Sequence, residues 1–176
     1  MAATASSSSA AVTAPTASPA IALITGGSRG LGRNAALHVA RSGTDVILTY
    51  RSQAAEAQAV AAEIEALGRR AVALPLDVAA SSTFEAFAGQ VRGVLAQHWQ
   101  RERFDFLVNN AGSGVHAGFM ETTEEQFDQM VAIHLKGTFF LTQKLLPLMN
   151  DGGRILNVSP RASRGSRCRA MPPMRR

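Results

Sequence analysis

A doubly wound α/β fold, a parallel sheet with helices on both faces, follows from three observations on the sequence. Short continuous apolar runs recur along the chain, beginning with Ala20-Ile21-Ala22-Leu23-Ile24. Segments with apolar residues at helical spacing separate those runs. A glycine-rich turn, Thr25-Gly26-Gly27-Ser28-Arg29-Gly30-Leu31-Gly32, stands between the first run and the first such segment. Continuous apolar strands belong to a sheet buried on both faces, and their alternation with helices implies right-handed crossovers.

The elements follow in order. The first strand, residues 20–24, runs into the glycine turn, and residues 34–42 form a helix that Gly43 stops. Residues 46–48 are a second buried strand. Residues 54–67 read as an Ala/Glu-rich helix ended by Gly68, and residues 71–74 as a third strand before Pro75. Ser81 or Ser82 caps a helix to about residue 98, with Phe84, Phe87, Val91, Val94 and Leu95 on its inner face. Residues 104–108 are the fourth strand. Thr122 or Thr123 caps a long helix to about residue 149, with Glu124 and Glu125 suited to its positive N-terminal end. Residues 155–158 are the fifth strand.

Composition bounds the rest. A chain of 176 residues with 46% hydrophobic and 18% charged content is one soluble domain at most, and no run approaches the roughly 18 apolar residues of a membrane span. Residues 1–19 are almost entirely Ala, Ser, Thr and Pro without charge, a disordered leader lacking the marks of a secretory signal or a mitochondrial presequence. Residues 20–160 are the folded unit and residues 161–176 a basic tail. That tail holds six arginines and no acid, so removing it from the net charge of +5 leaves the body at −1. A near-neutral body does not call for nucleic acid. The single cysteine, Cys168, excludes an internal disulfide, no Cys/His cluster suggests a metal, and a reducing, cytoplasmic setting fits.

Polar clusters fall where the strands end, the edge at which such sheets bind ligands. The glycine turn suits a phosphate, because glycine admits close backbone approach and the following helix offers free N–H groups. Asp77-Val78 lies past the third strand, and Asn109-Asn110-Ala111-Gly112 closes the fourth. At the end of the second strand, where an acid would accept from a free ribose 2′-hydroxyl, stands Tyr50-Arg51-Ser52. Arg51 and Ser52, with Arg29 opposite, suit a 2′-phosphate, so NADP is favoured and NAD is the lesser choice.

Together, Thr25-Gly26-x-x-x-Gly30-x-Gly32, Asp77-Val78 and Asn109-Asn110-Ala111-Gly112 resemble the short-chain dehydrogenase/reductase family, classical type. The branch most similar is that of 3-oxoacyl-[acyl-carrier-protein] reductases, and the likeness runs from residue 20 to about 160. The resemblance implies a Rossmann-like fold, hydride transfer between NADP and a small carbonyl or alcohol substrate, and a homo-oligomer. It places Gly26, Ser28, Arg29, Gly30, Leu31 and Gly32 on the phosphates and ribose, and Asp77 and Val78 beside the adenine. Asn109, Ala111 and Gly112 are placed next to the adenosine ribose and in support of the central strand.

The family's catalytic set departs from this sequence. It uses a tyrosine, a lysine four residues later, a serine on the substrate carbonyl, and an asparagine that positions a water. The asparagine position holds His134, which can bond water or a backbone group. Ser159 stands beside the serine position, which is Pro160, and the only tyrosine in the chain is Tyr50. The tail resembles no part of the family, yet a GC-rich coding sequence for residues 166–176 read one base out of frame gives Val-Ala-Leu-Pro-Gly-Tyr-Ala-Ala-Tyr-Ala-Ala. The chain therefore reads as a truncated or frameshifted member whose C-terminal part is missing, leaving the fifth strand an open apolar edge and the oligomer interface incomplete. Weak or absent cofactor binding and no turnover are expected; the alternative is a non-catalytic dinucleotide-binding or regulatory module. An arginine tail contacting acidic partners is the least favoured function.

Overall fold

A computed structural model describes residues 18–115 and 117–159. The leader assigned to residues 1–19 falls almost wholly outside them, as do Pro160 and the tail. Five strands form one sheet in the order β3-β2-β1-β4-β5: β1 (Ile21–Ile24), β2 (Asp45–Tyr50), β3 (Ala71–Pro75), β4 (Phe104–Asn109) and β5 (Met149–Asn157). Every neighbouring pair is parallel. The order turns back at β1, where the chain crosses from β3 at one edge to β4 on the other side.

Strand alternation divides the core into two layers. Ile21, Leu23, Ile47 and Leu107 face one side, against Phe84, Phe87, Val91 and Leu95, with Leu141 and Leu145 closing the layer. Ala22, Ile24, Val46 and Leu48 face the other, against Ala36, Leu37 and Ala40 of α1 (Gly30–Arg41) and Ala57, Val60 and Ile64 of α2 (Ala54–Ala66). The small residues of α1 and α2 let those helices lie close to the sheet, while phenylalanines fill the opposite layer. Helices therefore cover both faces, as the continuous apolar strands require.

Several boundaries differ from the sequence reading. Helix α1 begins at Gly30, where the glycine turn leads straight into it. Ser81 and Ser82 lie in a 3-10 turn with no side-chain cap, and α3 begins at Phe84 and runs to Val94, after which a π-turn over Leu95–Trp99 carries the helical run to the end expected near residue 98. The long helix is composite. Thr123 caps α4 (Glu124–Val131) by a reciprocal exchange with Gln126, a π-turn spans Ala132–Gly137, and α5 covers Thr138–Leu145. Strand β5 starts at Met149, six residues early, and its register against β4 shifts between Phe104 and Phe106. Gly152, at φ +78°, supplies the bend that absorbs those residues. Among the described residues β5 pairs only with β4, and Ile155 and Leu156 are exposed.

Two aspartates pin the edge of the sheet where the strands begin. Asp45 is 2% exposed, and its carboxylate accepts from the Arg70 backbone N–H at 2.9 Å and from the Trp99 indole N–H at 2.7 Å. Asp105 accepts from the Ile21 N–H at 2.8 Å, from the Asn150 amide at 2.6 Å and from Arg101 at 3.3 Å, joining β1, β4 and β5. Burial raises the Asp105 carboxyl, but hydrogen bonds from Asn150 and Ile21 and the charge of Arg101 outweigh it and hold the group below the usual carboxylate range. The unfolded chain then binds a proton at higher pH than the folded one. The stability from Asp105 is full above about pH 3.9 and is lost as pH falls through the lower folded value. Urea unfolding as a function of pH should show this acid-labile component in the native chain and its loss in Asp105→Asn; an identical acid limb in both would refute it.

Candidate functional site

The glycine turn is built by interlocking backbones. Gly26 adopts φ +67°, and a Cβ there would come within 2.9 Å of the Ala111 Cα. At Gly32 a Cβ would collide with the Gly26 carbonyl and the Asn110 amide. The Thr25 side chain, 1% exposed, is the centre of the arrangement. Its hydroxyl oxygen accepts from the backbone N–H of Asn110 at 3.0 Å and of Ala111 at 2.9 Å. Asn110 returns the bond, its side-chain amide donating to the Thr25 and Gly26 carbonyls at 2.9 and 3.2 Å. From the other side, the Thr49 hydroxyl accepts from the Gly26 N–H at 3.2 Å. The ends of β1, β2 and β4 are thereby fixed against one another.

These strand ends enclose a cavity of about 300 Å³ at the crossover point of the sheet. Gly26, Ser28, Arg29, Leu31 and Gly32 form one wall, and Arg51 and Ser52 lie at the end of β2. Asp77 and Val78 are past β3, and Ala111 and Gly112 are past β4. The structure thus brings together eleven of the thirteen residues selected for cofactor binding. Tyr50, Gln53, Leu76, Asn110, Ser113 and Ile133 line it too and had not been selected. Asn110 had a signal, since it is a polar residue one position past a strand end; Ile133 had none, being one apolar residue of a helix.

The N-terminal end of α1 opens on this cavity in a state suited to an anion. Its cap residue, Arg29, makes no side-chain capping bond, and the first turn carries no acid. The free N–H groups and the helix dipole are left to an external acceptor. Arg29 and Arg51 are exposed at the same cavity, and among the described residues neither makes an ion pair. Asp77 caps its own turn, its carboxylate accepting from the Ala79 N–H at 2.9 Å. The steric fit holds as well: bare backbone at Gly26 and Gly32 is what lets the turn close over Asn110 and Ala111.

Two selected residues fall outside this cavity. Gly30 shapes the turn through φ +57° and lines nothing. Asn109 faces the opposite side of β4 from its neighbour Asn110, since successive residues of a strand point in opposite directions. It is 6% exposed, and its amide donates to the Thr142 hydroxyl at 3.0 Å and to the Asn157 side chain at 2.8 Å. Its place is therefore in the packing of β4 against β5 and α5, and its role beside a ribose is not what the geometry gives.

Asn109 instead lines a second cavity, about 590 Å³, with His134, Ser159, Asn157, Thr138 and Thr142 among its polar residues and Leu135, Phe139 and Leu146 among its apolar ones. Both residues selected for catalysis are here. Among the described residues His134 is the only ionisable side chain lining it. Its Nε2–H donates to the Ser113 carbonyl at 2.7 Å, the backbone-bonded alternative of the sequence reading. Ala111 lines both cavities and so forms part of the wall between them. Among the described residues no helix is long and apolar enough to cross a membrane, and no group of three His, Cys, Asp or Glu residues is placed to hold a metal ion.

Known proteins with the same architecture are numerous. The family model for short chain dehydrogenases matches residues 20–170. Among curated relatives, the short-chain dehydrogenase/reductase FrzI of Cladobotryum sp is 39% identical over 143 residues, covering 81% of this chain and 53% of FrzI. The tetrahydroxynaphthalene reductase PfmaG of Pestalotiopsis fici is 34% identical over 139 residues, covering 79% of this chain and 48% of PfmaG. Among solved structures, a short chain dehydrogenase from Burkholderia cenocepacia in complex with NADP superposes with TM-score 0.70 at 35% identity, over 77% of this chain and 53% of that one. The landomycin C-6 ketoreductase LanV with bound NADP and rabelomycin gives TM-score 0.76 at 36% identity, over 80% of this chain and 57% of that one. The chain spans about half the length of the relatives it matches.

Proposed function

Because the chain belongs to the short-chain dehydrogenase/reductase family, we propose that it holds NADP in the first cavity and is an oxidoreductase of the ketone/alcohol type by descent, impaired as a catalyst. One observation carries this reading: the glycine turn, Arg51 and Ser52, Asp77 and Val78, and Ala111 and Gly112 converge on a single cavity at the strand ends. The bound forms of the Burkholderia enzyme and of LanV support NADP as the cofactor. In the proposed assignment the α1 N-terminus and the Gly26–Gly32 turn hold the pyrophosphate, and Arg51, Ser52 and Arg29 hold the 2′-phosphate. Asp77 and Val78 flank the adenine. Residues 20–160 are the cofactor-binding unit.

When bound, the cofactor supplies a hydride, and the carbonyl oxygen that gains charge needs a proton donor beside it. His134 is committed to Ser113 through Nε2, and Ser159 carries a hydroxyl at the rim of the second cavity. The chain's only tyrosine, Tyr50, lines the first cavity instead. That observation favours a second reading, a dinucleotide-binding module without turnover. The proposed compartment is the cytoplasm, the substrate a small carbonyl or alcohol.

NADPH fluorescence titration and a turnover assay separate these readings. With the cofactor-binding residues converging on one cavity, the expected result is weak but measurable NADPH binding, tighter than NADH, with no oxidation of NADPH above background when a model ketone, or the tetrahydroxynaphthalene named for PfmaG, is supplied. Turnover would refute the impairment, and absence of NADPH binding would refute the cofactor assignment.

A further inference from the structure

Asp151-Gly152 is the one place in the chain where an aspartate precedes a glycine. The other four aspartates precede valine, phenylalanine or glutamine, and no asparagine precedes glycine. Glycine has no side chain to shield its own backbone nitrogen or to restrict φ, so a carboxyl on the preceding residue reaches that nitrogen more readily than elsewhere. The fold leaves the pair open to this approach. Pairing of β5 with β4 passes from Phe104 opposite Met149 to Phe106 opposite Arg154, so residues 150–153 form a bulge across from Asp105. Asp151 and Gly152 are exposed, and a Cβ at Gly152 would meet nothing within 4 Å. Among the described residues the Asp151 carboxylate makes no ion pair.

We propose that Asp151-Gly152 is a modification site at which the chain isomerises to isoaspartate. The Gly152 nitrogen attacks the Asp151 side-chain carboxyl carbon; the N–Cγ bond forms, and the carboxyl hydroxyl leaves with the amide hydrogen as water. Water then opens the five-membered imide. Attack at the side-chain carbonyl restores aspartate, whereas attack at the main-chain carbonyl routes the backbone through Cβ and Cγ and leaves a carboxylate on Cα. Water is the only other reactant, and the site is independent of the cofactor assignment above. The lengthened backbone does not fit the bulge as it stands. A Cβ at Gly153 would already come within 2.7 Å of the Asp105 carbonyl oxygen and 2.9 Å of that of Asn150, so an inserted main-chain carbon displaces β5 from β4. The Asn150 amide, which donates to the Asp105 carboxylate at 2.6 Å, moves with it.

The test incubates the folded chain for weeks at neutral pH. Isoaspartate is then labelled with a protein isoaspartyl methyltransferase and radioactive S-adenosylmethionine, and mass spectrometry locates the modified residue. The expected result is label that grows with incubation, at residue 151 alone, and a lowered urea midpoint in the isomerised fraction. Asp151→Glu sets the carboxyl one carbon further out and keeps the charge at an exposed position, so it should hold the label at background with the starting midpoint unchanged. Asp151→Asn reacts at the same nitrogen with ammonia as the leaving group and should gain isoaspartate faster. A folded chain that stays unlabelled while the urea-unfolded chain is labelled overturns the site. Label undiminished in Asp151→Glu, or slower in Asp151→Asn than in the native chain, overturns attack by the Gly152 nitrogen. A labelled chain with the urea midpoint of the fresh one overturns the displacement of β5 and leaves the site standing.

Discussion

Thr25→Val is expected to cost the chain about 2–3 kcal/mol of stability and to weaken NADPH binding at least tenfold. Valine fills the same volume, so the change is chemical rather than steric. The buried hydroxyl it removes accepts two backbone N–H groups, those of Asn110 and Ala111. No water replaces it at a side chain that is 1% exposed, and each orphaned donor costs about 1–3 kcal/mol. The affinity falls because the same bonds set the spacing between the glycine turn and the β4 end. Urea unfolding and NADPH titration measure the two effects, and Thr25→Ser, which keeps the hydroxyl, should restore most of both. A valine variant as stable as the parent would show that the hydroxyl does not join the strands.

Arg51→Glu should reverse the preference between cofactors. The guanidinium is exposed, and among the described residues it is engaged in no ion pair, so its loss leaves the fold within about 0.5 kcal/mol. A charge-assisted hydrogen bond to a 2′-phosphate contributes about 1.5–3 kcal/mol, so NADPH should bind roughly tenfold to a hundredfold more weakly. NADH has no 2′-phosphate and a free hydroxyl that a carboxylate accepts from, so its affinity should hold or rise. Equal losses for both nucleotides would place Arg51 elsewhere than on the 2′-phosphate.

Much of the architecture was legible because buried parallel strands leave an unambiguous trace. Residues 21–24 and 46–48 have no polar member, and both strands sit in the middle of the sheet with helices above and below. The glycine turn was legible for a related reason: the close approach of Asn110 and Ala111 to Gly26 and Gly32 admits no larger residue, so sterics write the motif. Arg51 was legible from the absence of an acid at the end of β2.

Other features leave no such trace. The π-turn Ala132–Gly137 falls within a segment that apolar spacing reads as one continuous helix. The start of β5 was hidden by Asn150-Asp151-Gly152-Gly153, which reads as a loop and is instead a bent segment bonded through Asp105. The choice between Asn109 and Asn110 turns on strand parity at the last residue, where a shift of one position exchanges the two sides of the sheet. Nothing in the sequence pairs Asp45 with its partner; only folding brings Trp99, 54 positions away, to its carboxylate.

That contact gives the molecule a built-in optical reporter. Trp99 is the only tryptophan, the residue is 7% exposed, and its N–H is bound to a carboxylate at the edge of the sheet opposite both cavities. The environment of the indole depends on the packing of β2 against the π-turn Leu95–Trp99 that follows α3. Its emission therefore follows the integrity of the scaffold, so a variant that has lost its ligand and one that has lost its fold give different spectra.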